Sequence, residues 1–317
     1  MLLLCQRFIL YKLNLQIYMK IYDCFMFFDE EMLLDLRLNI MDKYVDKFVI
    51  TEATYTHSGS AKKLNFDINK FSKFKDKIIY IVVDKQPQDL FKINESDNDK
   101  HDTRGQKLVL NGYKRDNYQR QMAQQALNDV EPEDWIIIND IDEIPNLKNV
   151  DMSTIKNKLL IFKQQIFYYK FNLLYPSIPW FGSRACKKKY FLSPQWLRDI
   201  KTKIYPLWRL DIIFSKKKYN DIFCINKGGW HFTNIKSPED IEKKLLNYTH
   251  HDEFEKSGLN LENLRKKIEE KKIIYDHGVD QRKNKWDSET TLRKIELSEM
   301  PDYLSENYKK YTKWLEI

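Results

Sequence analysis

Two aspartates separated by one residue, Asp140 and Asp142, follow the apolar run 135–138 (WIII) after a single asparagine. Carboxylates placed close together repel one another, so a compensating charge is needed. A turn after a strand can aim both side chains at one point, and Mg²⁺ or Mn²⁺ binds oxygen ligands of this kind. The pattern predicts a divalent metal site at Asp140 and Asp142 that keeps room for phosphate oxygens. The alternative is that both acids cap the segment 143–145 (EIP).

Three further residues could complete such a site. His231 lies in the stretch GGWHF and could be a third metal ligand, although a lone histidine often has a structural role. Arg115 and Arg120 lie on a predicted helix ahead of the aspartates, and the forked guanidinium group suits phosphate. A solvated helix face is the alternative interpretation for both arginines.

The elements that must position these residues follow from the apolar pattern. Apolar runs predict four strands, at 20–28, 47–52, 78–84 and 135–139, and two amphipathic helices, at 30–45 and 113–130. Strands that alternate with helices indicate an α/β fold with a mainly parallel central sheet. Ligands bind such sheets beyond the carboxyl ends of the strands, where Glu52, Asp84 and Asp140 fall. The polar segment 86–112 predicts a loop.

The second half of the chain differs in character. An aromatic strand is predicted at 166–172, and helices are predicted from Ser237, over 260–272 and after Pro301. Neither an internal repeat nor a clean linker is found. We therefore expect one domain, 19–317, with a helical C-terminal tail. Residues 1–18 would be an N-terminal extension, with Met19 as an alternative start.

The composition is that of an ordered globular chain. Of the 317 residues, 42% are hydrophobic and 14% aromatic, which excludes a disordered chain. A net charge of +8 can attract nucleic acid, a membrane or an anionic ligand, but the lysines alternate with acids and a solvated surface is favoured. Without a C-x-x-C pair, a zinc site is not expected, and free thiols are expected, with a Cys186–Cys224 disulfide as the open alternative. No apolar run is long enough to span a bilayer, and peripheral membrane contact stays open.

Six blocks of sequence, in this order, resemble glycosyltransferase family 17, over a stretch from about Lys20 to about Pro301. The blocks are IYDCFMFFDE, LRLN, VDKFVITEATYTHSG, DWIIINDIDEIP, GGWHF and HDEF. The resemblance implies a GT-A type nucleotide-sugar-binding fold, a divalent metal at the D-x-D, and inversion at the anomeric carbon. It also implies UDP-N-acetylglucosamine as donor and a glycan as acceptor. Residues 19–145 would form the nucleotide-sugar-binding half and 146–317 the acceptor half with the helical tail.

Inversion requires a carboxylate that acts as general base on the acceptor hydroxyl. Glu253 in HDEF is the first candidate, and Asp280 and Glu143 are the others. Glu52, at a strand end, could accept hydrogen bonds from the base or ribose of the donor, with a purely structural strand-end acid as the alternative.

The loop WFGSR would form a wall for the sugar. Trp180 would pack its face on a sugar ring, and Arg184 would contact the donor. A folded hydrophobic loop is the alternative. Because the eukaryotic members of the family carry an N-terminal membrane anchor and no convincing one is found here, a cytoplasmic location is expected rather than the Golgi lumen.

Two other function classes compete with sugar transfer. A metal-dependent phosphodiesterase or nuclease would use clustered acids and basic charge, but it needs a second metal site for which the sequence offers no defined set of residues. A non-catalytic carbohydrate-binding relative would not need Asp140 and Asp142, and both are present. We therefore expect no nucleic-acid partner.

Overall fold

The computed structural model describes residues 19–97, 103–203, 205–206, 208–212, 214–248, 251–278, 286 and 288–317. These residues form a mixed α/β fold with two sheets. The strands are β1 (Ile21–Met26), β2 (Lys47–Ala53), β3 (Ile78–Val83), β4 (Trp135–Asp140), β5 (Glu143–Pro145), β6 (Leu159–Phe162), β7 (Gln164–Tyr168), β8 (Leu173–Trp180), β9 (Arg184–Lys187), β10 (Ile222–Ile225), β11 (Gly229–Thr233) and β12 (Arg293–Lys294). The helices are α1 (Glu31–Met41), α2 (Thr103–Gln121), α3 (Pro194–Asp199), α4 (Pro238–Asn247), α5 (His251–Ser257), α6 (Leu261–Glu269) and α7 (Asp302–Glu306).

The larger sheet has seven strands in the order β10-β6-β9-β4-β1-β2-β3. Strands β4, β1, β2 and β3 run parallel, and β6 and β10 are parallel to each other. Strand β9 is antiparallel to both of its neighbours, β4 and β6. The expectation of an α/β fold with a mainly parallel central sheet is thus confirmed, with one antiparallel strand inserted.

Alternate residues of the central strands enter different cores, as expected for a sheet covered on both faces. On β4, Trp135 and Ile137 pack in the core that contains the leucines of α1, whereas Ile136 and Ile138 pack in the core that contains Leu127. The apolar run of β4 is therefore continuous because both faces of the strand are buried.

The smaller sheet has five strands in the order β12-β8-β7-β11-β5. It is antiparallel except for the parallel pair of β7 and β11. Strand β5 follows β4 after a tight turn. We call residues 140–143 the acidic turn, and this turn connects the two sheets. Residues of β7 and β8 share a third core with α4, α5 and α6.

One expectation from the sequence needs correction. Helix α2 begins at Thr103, so the predicted loop 86–112 is wrong over its last part. The helix has few apolar residues, and Asn111 secures it by exchanging side-chain hydrogen bonds of 2.7 and 2.9 Å with the backbone of Phe91. The Cys186–Cys224 disulfide that the sequence left as an alternative does not form, because both residues are free thiols. Within the described ranges, no helix is long and apolar enough to cross a bilayer.

Candidate active site

A cleft of about 540 Å³ lies at the carboxyl ends of β1 and β4. Its walls come from both sheets and from α4, through Met26, Asp140, Trp180, His231 and Lys244. This is the edge of a parallel sheet at which ligands bind.

The turn after β4 brings Asp140 and Asp142 to the wall of this cleft. Between them, Ile141 is only 6% exposed and packs in the core with the leucines of α1. The single-residue spacing therefore has a physical reason, since the apolar residue anchors the turn and leaves the two carboxylates beside the same space.

A buried arginine holds this turn from the protein side. Arg37 of α1 forms a two-pronged ion pair with Asp23 of β1, with N–O distances of 2.6 and 2.8 Å. Its remaining nitrogen donates to the carbonyl oxygens of the turn, at 3.3 Å to Asp140, 3.3 Å to Ile141 and 2.7 Å to Glu143. Arg37 thus supplies a charged donor to three peptide carbonyls at the turn between β4 and β5.

Two further arginines neutralise Asp140 from the side. Arg198 of α3 donates to one carboxylate oxygen at 2.6 Å, and Arg120 of α2 donates to the other at 3.2 Å. Burial opposes ionisation of Asp140, but the charges of Arg198 and Arg120 outweigh it and lower the pKa of the carboxyl group. Arg120 is itself fixed by both oxygens of Asp116 and by Gln195.

The second aspartate faces looser cationic partners. One oxygen of Asp142 lies 3.6 Å from His231 Nε2 and the other lies 3.8 Å from Lys244 Nζ. Burial opposes its ionisation, but His231 and then Lys244 lower the pKa of Asp142. These separations exceed normal hydrogen-bond lengths, so both oxygens of Asp142 keep lone pairs available to a ligand.

The imidazole of His231 is held by stacking on Trp180, with ring centroids 4.6 Å apart. Its Nδ1 is buried and has no hydrogen-bond partner among the described residues. Nothing on the Nδ1 side therefore fixes the tautomer, and Nε2 is the nitrogen directed toward Asp142.

Glu143 is completely buried beneath the same turn. Its carboxylate accepts hydrogen bonds from Arg198, from Trp180 Nε1 at 2.6 Å and from the backbone N–H of Asp140 at 2.9 Å. Gly182 packs against this carboxylate so closely that a Cβ atom there would lie 2.1 Å from it. Glu143 thus has the surroundings of a structural acid, and its carboxylate is not on the cleft wall.

The model of glycosyltransferase family 17 matches residues 5–315, nearly the whole chain. The chain belongs to glycosyltransferase family 17. The resemblance of the six sequence blocks is thereby confirmed. A search of curated proteins finds no match. Membership indicates a glycosyl-transfer function for the chain and implies a nucleotide-sugar donor and a glycan acceptor.

Other residues that the sequence singled out do not line the cleft. Glu52 is fully buried, and its oxygens accept from Lys62, from Tyr80 OH at 2.8 Å and from two backbone N–H groups. Arg115 donates to the carbonyl of His57 at 3.1 Å and to Gln86 at 2.8 Å. Both residues have the bonding of structural groups.

The remaining predicted residues that the structure describes, Arg184 and Glu253, do not line the cleft. Arg184 lies on β9, donates to the carbonyl of Gly182 at 3.0 Å, and burial lowers its pKa to about 10. Glu253 lies on α5, outside the cleft lining. The pKa of Tyr113 is raised, first by burial of Tyr113 and then by the charge of Glu253. Asp280 lies outside the described residues.

Several residues in the cleft or behind its acidic turn were not anticipated from the sequence. Arg198, in the stretch SPQWLRDI, and Arg37, in LRLN, contact the acidic turn from distant elements. Asp276 and its neighbour Tyr275, in the stretch YDHG, line the cleft itself. Burial and the charge of Asp142 raise the pKa of Tyr275 to about 12. The YDHG stretch, with an acid between a tyrosine and a histidine, was the one available signal.

The donor set suits a cation bound jointly with a ligand. No group of three His, Cys, Asp or Glu side chains that could hold a metal is found in the part of the chain that the structure describes. Mg²⁺ in proteins is commonly held by one or two carboxylates together with substrate phosphates. Asp142 and His231 offer two facing donor atoms in the cleft, with Asp140 beside them. The residues fit a shared site of this kind.

Proposed function

We propose that this family 17 member transfers a sugar from a nucleotide donor to a hydroxyl group of a glycan, with inversion at the anomeric carbon. UDP-N-acetylglucosamine is the proposed donor, Mn²⁺ or Mg²⁺ the proposed cofactor, and GT-A the proposed fold type. One observation carries the proposal. Asp140 and Asp142 lie together on the wall of a cleft at the carboxyl ends of parallel strands.

The diphosphate of the donor would lie against the acidic turn. Asp142 and His231, with Asp140, would hold a divalent cation, which when bound supplies charge stabilisation to the departing nucleoside diphosphate. Lys244 reaches the same space, 3.8 Å from Asp142, and can donate to a phosphate oxygen. Arg198 and Arg120 keep Asp140 ionised and fixed in place.

The sugar would occupy the aromatic side of the cleft. Trp180 and Tyr275 both line it, and the indole of Trp180 is fixed by its hydrogen bond to Glu143 and by the stacked ring of His231. A rigid aromatic face beside the proposed metal site can pack on the apolar face of a sugar ring with little loss of conformational entropy.

We propose Asp276 as the general base. Among the carboxylates that line the cleft, Asp276 lies away from the side proposed for the donor and has an oxygen available to accept a proton. One of its oxygens accepts from Tyr175 OH and from the N–H of Gly278, both at 2.8 Å. Among the described residues, the other accepts a hydrogen bond only from Ser288 Oγ, at 3.4 Å. Glu30 also lines the cleft, but it follows β1, on the side proposed for the donor.

The base assignment has a matched test. Asp276→Asn keeps the carbonyl oxygen that Tyr175 and Gly278 require, and we expect kcat to fall by about 10²- to 10⁴-fold with little change in KM for the donor. The control is Glu30→Gln, for which we expect a change in donor KM instead. Full turnover by Asp276→Asn would remove Asp276 from this role.

Sugar transfer itself is tested by a donor screen. The protein is incubated with UDP-sugars, a panel of glycans and Mn²⁺, and products are identified by mass spectrometry and anomeric NMR. Asp142→Asn should abolish turnover, whereas Asp84→Asn, the same change at the exposed end of β3, should not. Phosphodiester hydrolysis would favour a nuclease, and glycan binding without UDP binding would favour a non-catalytic relative.

A further inference from the structure

A loop on the surface of the protein combines large apolar side chains with clustered lysines. We call residues 201–218 the basic loop; positions 204, 207 and 213 within it lie outside the described residues. Its two ends are joined by a hydrogen bond of 2.8 Å from the N–H of Lys201 to the carbonyl of Lys217. Trp196 of α3 anchors it by donating to the carbonyl of Lys216 at 2.7 Å. The segment is thus a surface loop whose two ends are held close together.

Three of its apolar side chains project into solvent. Trp208 is 78% exposed, Leu210 is 71% exposed and Phe214 is 87% exposed. Single exposed apolar residues are ordinary. Three large exposed apolar side chains within seven residues form a patch, and such a patch indicates an interaction site.

The same loop carries much of the net charge of the chain. It contains six basic residues and one acid, which is a net charge of +5 out of +8 for all 317 residues. The acid, Asp211, is paired with Arg209 and Lys218. The exposed lysines Lys201, Lys203 and Lys216 have no ion-pair partner among the described residues. Positive charge is therefore available around the apolar side chains.

We propose that the basic loop docks this protein on an anionic membrane surface. Tryptophan and phenylalanine side chains insert at the boundary between headgroups and acyl chains, and surrounding lysines attract anionic lipids. A protein partner would instead favour arginine over lysine around the aromatic anchors. The proposal does not depend on the proposed sugar transfer. Because the loop directly follows α3, whose Arg198 donates to Asp140, docking would bring α3 close to the lipid surface.

Vesicle flotation of the full chain tests the proposal. We expect binding to phosphatidylcholine vesicles that contain phosphatidylserine, and little binding to phosphatidylcholine alone. A triple variant, Trp208→Ser, Leu210→Ser and Phe214→Ser, should lose binding to the vesicles that contain phosphatidylserine. The matched control is Leu64→Ser with Leu110→Ser, exposed apolar residues elsewhere, which should bind as the parent does.

The lysines are tested separately. Changing Lys201, Lys203 and Lys216 to Gln should weaken binding to the anionic vesicles by about fivefold per lysine, or about a hundredfold together, and raised salt should have the same effect. The control changes Lys63, Lys75 and Lys92 to Gln, three exposed lysines outside the loop.

Equal loss of binding in the basic-loop and control variants would show nonspecific attraction and overturn the assignment to this loop. So would absence of binding to anionic vesicles by the parent chain. Self-association that the triple apolar variant abolishes, without vesicle binding, would show that the patch contacts a second copy instead. Circular dichroism of each variant establishes that it is folded.

Discussion

The contact between Arg37 and the acidic turn allows a test that separates folding from function. Arg37→Met keeps much of the side-chain volume and removes the charge. It leaves Asp23, which is fully buried, with Asn139 as its remaining side-chain donor, at 2.6 Å. It also removes the shared donor from the carbonyls of Asp140, Ile141 and Glu143.

The expected cost follows from these contacts. Removing one partner of a buried ion pair leaves an uncompensated charge and destabilises a protein by about 3–5 kcal/mol. Replacing both partners is often close to neutral. The double variant Asp23→Asn with Arg37→Met should therefore recover most of the lost free energy of unfolding, because no buried charge remains.

Activity should not recover with stability. The double variant still lacks the donor that fixes the turn, and misplacement of a reacting group by about 1 Å can reduce the rate by about 100-fold. We expect kcat/KM to stay at least about tenfold below the parent in both variants. Urea unfolding followed by tryptophan fluorescence gives stability, and release of UDP gives activity.

Two outcomes would refute this reasoning. Full activity of the double variant would mean that Arg37 matters only as the counterion of Asp23. A single variant that is as stable as the parent would mean that the ion pair contributes little. Asp23→Asn alone is the control, since Arg37 and its three carbonyl contacts remain.

Two further predictions concern the surroundings of the turn. Gly182→Ala should destabilise the fold by about 1–3 kcal/mol and lower activity, because the new Cβ would lie 2.1 Å from the carboxylate of Glu143; retention of both would refute the packing argument. The pKa of Asp140 is lower in the folded state than in the unfolded chain, so its contribution to stability is present above about pH 4 and declines as the pH falls below that value. Asp140→Asn should remove part of the acid dependence of the free energy of unfolding, and an unchanged profile between pH 5 and pH 2 would contradict the assignment.

The sequence predicted the central sheet because its signal is local. The strands β1, β2, β3 and β4 are apolar runs, which a single sequence displays directly. Strand β9 escaped prediction because its four residues, RACK, carry no such pattern. Its position between β4 and β6 is set by pairing across the sheet, which a single sequence does not display.

The residues of the candidate site could likewise be predicted only where the signal is local in sequence. Asp140 and Asp142 stood out because the spacing is local, and His231 because of the glycines before it. Arg37 and Arg198 contact the turn across more than 50 positions in sequence, so no local pattern could indicate them. Glu52 looked like a ligand-binding acid, since a carboxylate at a strand end looks the same whether ligand groups or backbone N–H groups fill its lone pairs.

The charge balance of the acidic turn leads to a last prediction about metal binding. Asp140 and Glu143 are paired with arginines, and Asp142 faces His231 and Lys244, so the chain already compensates its own carboxylates. A cation is then not needed for folding, and it would bind strongly only together with the negative charge of a diphosphate. We expect EDTA to leave the Tm unchanged. Mn²⁺ with UDP should raise the Tm by a few degrees, more than the sum of either alone, because a ligand that binds only the folded state stabilises it by about 2.7 kcal/mol at 100 times its Kd.

Asp142→Asn should abolish this joint increase and lower the Tm of the protein itself only slightly, since the ion pairs of Asp142 with His231 and Lys244 are long, at 3.6 and 3.8 Å. Lys63→Gln, a change at an exposed site away from the turn, is the control. If EDTA alone lowered the Tm by several degrees, the cation would be a structural element of the fold, and the self-compensated turn would be the wrong description. If UDP raised the Tm equally with and without Mn²⁺, the arginines and Lys244 would bind the diphosphate directly, because only a cation shared between protein and phosphate couples the two ligands.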